Sequence, residues 1–171
     1  MSHSHETARQ QTRQRAIEAA KSSQPGSEEI VVNAELLNAI AQAQPFTSWT
    51  GLEVVSAEDG RVETRMRLRP EDMTQHHGFL HGGLVGFLAD NAAAYAAATV
   101  VGDVLTAQFS LNFLRPGVGD EFAARAEVVK AGKRQVVVEV KVYALSDTDE
   151  KLIATANAVI LPAGAAALEQ R

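Results

Sequence analysis

Residues Gly78–Gly102 read GFLHGGLVGFLADNAAAYAAATVVG. Asp90 is the one carboxylate in this stretch, and His81 and Tyr95 are the other titratable side chains. Taking a lone carboxylate out of water is costly unless something compensates, so a chain seldom keeps one in such surroundings without a use for it. The residues around it predict a helix over about Gly82–Val100, with Ala92, Ala93, Ala94, Ala96, Ala97 and Ala98 letting it lie close against a sheet. His81-Gly82-Gly83 stands at its start. The first turn of a helix leaves backbone N–H groups unpaired, and glycine there leaves them open to a ligand. Unpaired donors followed by an acid nine residues after His81 point to a developing oxyanion and an ionised carboxylate acting on one substrate.

On either side of this helix the apolar period changes. Residues 34–44 predict a short amphipathic helix, with Leu36, Leu37 and Ile40 on one stripe and Pro45 as its stop. Phe46, Trp49 and Leu52 read as anchors under a loop. In Arg61–Arg69, Val62, Thr64, Met66 and Leu68 alternate with charged residues, the pattern of a strand with one buried face. After the central helix, Ala107, Phe109, Leu111 and Phe113 alternate with Gln108, Ser110 and Asn112, and Pro116-Gly117 closes that strand. Phe122, Ala124, Ala126 and Val128 form a further apolar face, as do Val136, Val138, Val140 and Val142, and Leu152–Leu161 supplies the last strand. Strands linked by such short turns are expected to be antiparallel neighbours. The fold class is therefore α+β: strand, strand, long helix and four strands, with an antiparallel sheet wrapped around one long central helix.

Length and composition fit one domain, expected over residues 34–162. Residues 1–33 read as a polar tail, disordered or loosely helical, and residues 163–171 as a C-terminal tail. The chain has no cysteine, which excludes disulfides and thiolate chemistry and fits a cytoplasmic location. Its net charge of −5 carries no nucleic-acid footprint. The N-terminus lacks the apolar segment of a secretory signal, and a central Asp in the 78–102 stretch would cost about 2.5–3.5 kcal/mol in a bilayer, so no membrane span is expected.

The pattern Gln75, His81-Gly82-Gly83 and Asp90 within this element order resembles the hotdog-fold acyl-CoA thioesterases. It is most similar to the phenylacetate-degradation (PaaI-like) type of the 4-hydroxybenzoyl-CoA thioesterase superfamily. The likeness extends to Pro45-Phe46, Asn112-Phe113-Leu114-Arg115-Pro116 and Gly132-Lys133-Arg134. It implies the hotdog fold and hydrolysis of an acyl- or aryl-CoA thioester to the free acid and CoA, with no metal or cofactor. It also assigns roles. Gly82 N–H would be the oxyanion donor, and Asp90 the nucleophile or the general base. Gln75 and Thr106 would orient water or the carbonyl, and His81 would hold the loop and helix start. Many relatives carry Asn at the position of Gln75, whose side chain reaches one methylene further.

Phe79, Leu80 and Phe87 would flank the acyl group beside Gly83, and Arg115, Lys133 and Arg134 would meet the phosphates of coenzyme A. His76 and His77 share the loop but read as structural or solvated. The resemblance further implies a homodimer or homotetramer with active sites at subunit interfaces. Two other readings remain open: a hotdog hydratase or dehydratase, and a non-catalytic acyl-CoA-binding protein.

Overall fold

The computed structural model describes residues 31–163. Of the expected tails at 1–33 and 163–171, residues 1–30 and 164–171 lie outside the described residues. Helix α1 (Ala34–Ala43) is capped by Asn33, whose Oδ1 accepts from Leu36 N–H at 3.0 Å. Pro45 does stop α1, but it also opens a second helix, α2 (Pro45–Thr50), where the residues read as a loop. Proline at the first helical position lacks only an N–H that has no intrahelical partner anyway. The anchors separate accordingly: Leu52 is buried, while Phe46 and Trp49 are 56% and 46% exposed.

Strands β1 (Glu53–Glu58) and β2 (Arg61–Arg67) form a hairpin whose two-residue turn, Asp59-Gly60, has positive φ at both positions, as its tight geometry requires. A single helical turn, α3 (Pro70–Met73), ends the stretch that was expected to continue β2 to Arg69. The central helix α4 (Gly82–Val101) follows, then β3 (Val104–Phe113), β4 (Glu121–Ala131), β5 (Val136–Ser146) and β6 (Asp149–Pro162).

All six strands join one antiparallel sheet in the order β1-β2-β4-β5-β6-β3. The expectation that sequential strands are neighbours holds for β4, β5 and β6 and fails for β3. That strand pairs with β6 at the far edge, and residues 114–120 carry the chain from there to β4 in the middle of the sheet. The crossing is tight. Gly117 O accepts from Leu80 N–H at 2.9 Å, and a Cβ on Gly117 would stand 3.0 Å from Leu80.

α4 is long and apolar enough to cross a membrane, yet ten of its twenty residues are buried here against the concave face of the sheet. Ala92, Ala93, Ala96 and Ala97 meet an inner face built from Val136, Val138, Val140 and Val142 and from Phe122 and Ala124. The outer face is polar. Arg125 bridges Glu63 and Glu150, at 2.9 and 2.7 Å, and its guanidinium lies 4.7 Å over the Tyr143 ring.

Candidate active site

The start of α4 is organised by His81. Its backbone is extended, its N–H donates to Met73 O at 2.8 Å, and its Nδ1 accepts from Gly83 N–H at 3.0 Å. His81 thus caps the helix, and its ring nitrogen is engaged there as an acceptor. The cap satisfies Gly83. Among the described residues none accepts from Gly82 N–H, which stands at the positive end of a twenty-residue helix. Both glycines lie close to rings. A Cβ on Gly82 would meet Phe113 Cζ at 3.3 Å, and one on Gly83 would meet His81 Nδ1 at 3.0 Å.

Asp90 lies two turns further along, half-buried, with Oδ1 shielded from water and without a partner among the described residues. Neighbouring Asn91 turns its Nδ2 back to Phe87 O at 2.9 Å. Gly82 and Asp90 are eight residues apart, about 12 Å along the axis at 1.5 Å per residue. One chain therefore does not bring its own donor and its own acid to a single carbonyl. The two halves of the pattern sit at different levels of one helix.

Gln75 opens a tight loop closed by the Thr74–Leu80 bridge, with Gln75 N–H donating to Phe79 O at 2.9 Å and Gly78 N–H donating to Gln75 O at 2.8 Å. Its side-chain oxygen accepts from His77 N–H, which leaves the amide NH2 as its available donor. His76 and His77 lie in the exposed part of this loop, their rings tilted at 44° with 3.9 Å between centroids. No metal-binding cluster occurs among the described residues.

Thr106 reaches the helix side of β3 by a route that alternation does not predict. The register passes from Thr106↔Ile160 to Gln108↔Val159, so Ala107 is the extra residue of a bulge. Thr106 therefore shares the inner face with Phe109, Leu111 and Phe113, whose partners Ala158, Ala156 and Ala154 lie on the inner side of β6. Ala107, expected in that set, does not belong to it.

The expected substrate-contacting residues divide. Phe79 and Phe87 are half-buried, but Leu80 is 4% exposed and belongs to the core, where it anchors the loop from below. Arg115 and the Lys133-Arg134 turn do not form one basic cluster within a chain. Arg115 N–H donates to Ile153 O, whereas the turn precedes Val136, which pairs with Ile160. Seven residues of β6 separate those levels, about 23 Å at 3.3 Å per residue. Sequence reasoning missed Arg69, whose guanidinium lies 5.0 Å over the Trp49 ring. Its charge alone carries no signal of that contact. Tyr95, one turn beyond Asn91, is buried without a hydroxyl partner among the described residues, and burial pushes its phenol up to about 12.

Comparison with known proteins places this geometry. Residues 77–151 match the family described as the thioesterase superfamily. The chain is 31% identical over 113 residues to the 1,4-dihydroxy-2-naphthoyl-CoA hydrolase of Listeria monocytogenes, covering 64% of this chain and 89% of that protein. The chain belongs to the thioesterase superfamily. Its fold agrees with that of a thioesterase family protein from Silicibacter pomeroyi, with a TM-score of 0.70 and 38% identity over 73% of this chain and 93% of the other. The Escherichia coli PaaI protein, from the phenylacetic acid degradation operon, has a TM-score of 0.67 at 26% identity, over 74% of this chain and 89% of that one. As an acyl-coenzyme A thioesterase, PaaI is also 31% identical over 93 residues in sequence, covering 54% of this chain and 66% of its own. The fold is the hotdog, and the chain is a thioester hydrolase.

Proposed function

We propose that this thioesterase hydrolyses acyl-CoA, at a site assembled from two copies of the chain. The observation that carries the proposal is the spacing of Gly82 N–H and Asp90, about 12 Å apart on one helix. A second copy supplies the missing half. In each site, Gly82 of one copy donates to the thioester oxygen, and Asp90 of the other attacks the carbonyl carbon or takes the proton of an attacking water. Either route consumes one water, breaks the C–S bond and gives a carboxylic acid and a thiol, so the atoms balance without metal or redox cofactor. The donor strengthens as charge builds on the oxygen, which is where binding energy accelerates a reaction.

β3 supports the pairing. It is a ten-residue edge strand with one side unpaired, and it exposes Leu105, Phe109 and Phe113. An apolar open edge of that length is a template for another strand. Two such edges meeting antiparallel make one twelve-stranded sheet and carry the two central helices to the shared seam; two of these dimers make the homotetramer. Gln75, through its free amide, and Thr106, through its hydroxyl, serve as orienting groups for water or the carbonyl. Coenzyme A is favoured as the carrier because basic groups stand at both ends of the sheet, Arg115 at one and Lys133-Arg134 at the other.

The test is thiol release, followed with a thiol-reactive dye, from acyl-CoA and from the same acyl group on an acyl-carrier protein and on a simple thiol. Turnover of acyl-CoA with the largest kcat/KM is expected. Thiol release from the carrier protein alone would refute the CoA reading.

A further inference from the structure

We propose that Phe113, the last residue of β3, is the wall of the oxyanion site: its ring stands beside Gly82 and keeps water off the N–H offered to the thioester oxygen. This rests on the acyl-CoA hydrolase reading above and adds a residue to that site.

The ring stands where glycine leaves room for it. A Cβ on Gly82 would lie 3.3 Å from Phe113 Cζ and 3.4 Å from Cε1, and no other atom of the ring comes within 4 Å of that position. The rim of the ring is therefore turned toward the helix start, not its face. The rim is the electropositive part of an aromatic ring, so charge building on an oxygen beside Gly82 meets no repulsion there.

The end of β3 holds this ring in place from its backbone. Phe113 pairs with Ala154 of β6, and Ile153 O accepts from both Leu114 N–H and Arg115 N–H, at 2.8 and 3.2 Å. Arg115 Nη1 adds a bond to Leu152 O at 2.8 Å. The side chain so anchored is 60% exposed, which makes it a poor core residue and leaves its apolar surface open beside the donor. Phe109, four residues back on the same face of β3, repeats the arrangement one helical turn on. Its Cζ and Cε2 would lie 3.8 and 3.9 Å from a Cβ on Gly86. Gly82, Gly86 and Asp90 follow at intervals of four residues, so the two rings line the glycine turns of α4 that precede the acid.

A hydrogen bond to a growing negative charge gains strength where water cannot compete for either partner. Removing the ring opens the donor to water without deleting it. The loss should then fall short of the factor of about 10²–10³ for an oxyanion donor removed outright.

Thiol release is measured for Phe113→Ala and Phe113→Leu, each in the native background and together with Gly82→Pro. Phe113→Ala should lower kcat by roughly tenfold, with KM changed much less. Phe113→Leu should recover most of that loss, because leucine still fills the space. With the donor already deleted in Gly82→Pro, Phe113→Ala should lower kcat no further, since two changes to one hydrogen bond do not add. A merely structural role would cost the same factor in both backgrounds. In protein carrying isotope-labelled glycine, the Gly82 amide resonance should move in Phe113→Ala and Phe113→Leu alike, because the ring beside it is gone.

Four results would overturn the proposal. An unchanged kcat in folded Phe113→Ala would leave the ring no part in the reaction. Equal losses with and without Gly82→Pro would make it structural. Dissociation of Phe113→Ala, seen by light scattering, would assign the ring to the seam between copies. A Gly82 resonance that stays in place would put the ring elsewhere. If the native protein releases no thiol from any acyl-CoA, the hydrolase reading fails, and the glycine spectrum still decides whether the ring covers Gly82.

Discussion

Replacing Gly82 with proline separates the backbone donor from the fold. Gly82 is the first residue of α4, where proline is well tolerated because the lost N–H has no helical partner. The residue before a proline must avoid the helical region, and His81 already does, at φ −60° and ψ 131°. The added Cβ would stand 3.3 Å from Phe113 Cζ, the end of a ring that is 60% exposed and free to yield a few tenths of an ångström. Stability should therefore change by no more than about 1 kcal/mol. Gly82→Ala carries the same Cβ but keeps the N–H, so it controls for the ring contact. If Gly82 N–H holds the oxyanion, the proline variant should lose about 10²–10³ in kcat relative to the alanine variant, or about 2.7–4 kcal/mol of transition-state stabilisation. The assay is thiol release at saturating acyl-CoA on both variants, with circular dichroism and melting curves to establish folding. Equal kcat in two folded variants would refute the donor role.

Other expectations follow from the same geometry. Phe109→Lys puts a charge on the exposed edge strand and should shift the protein toward monomer by light scattering, with thiol release lost in parallel. Ala96→Leu overfills the fully buried contact between α4 and the sheet and should cost about 1–3 kcal/mol, read as a lowered Tm. Burial pushes the Glu63 carboxyl up, but hydrogen bonds from Arg125 and Arg65 outweigh it and hold it below the usual range. The unfolded chain then takes up that proton at higher pH than the folded one. This contribution to stability is complete at neutral pH and is lost on acidification below about pH 4. Arg125→Leu should accordingly show a smaller Tm loss than the native protein between neutral pH and about pH 3.

The fold was legible where periodicity speaks directly. The alanine-rich helix and the inner faces of β4 and β5 can be read from spacing alone, because small residues on a helix and valines at every second position have few other uses. The place of β3 was not legible. A short link predicts a neighbouring strand, and only the packing of Gly117 under Leu80 shows the chain crossing beneath the helix start. The face that Thr106 takes was hidden by a bulge, which shifts alternation by one residue and leaves no mark in composition. Pro45 was read as a stop when it is also a start, and with that reading the exposed ring pair of α2 became anchors. Gly82 and Asp90 stood out as an unusual glycine pair and an isolated acid. Their separation along the helix, eight residues of rise, calls for a second copy, in line with the interfacial sites that the resemblance implies.

The role of Asp90 is tested most directly by thiol release from the Asp90→Asn protein. Asparagine keeps the shape and hydrogen-bonding capacity and removes the charge. The variant should fold and bind acyl-CoA, with kcat reduced by about 10²-fold or more and KM changed much less, because the carboxylate acts chiefly in the transition state. A folded Asp90→Asn protein that turns over acyl-CoA at the native rate would make Asp90 structural and contradict the mechanism.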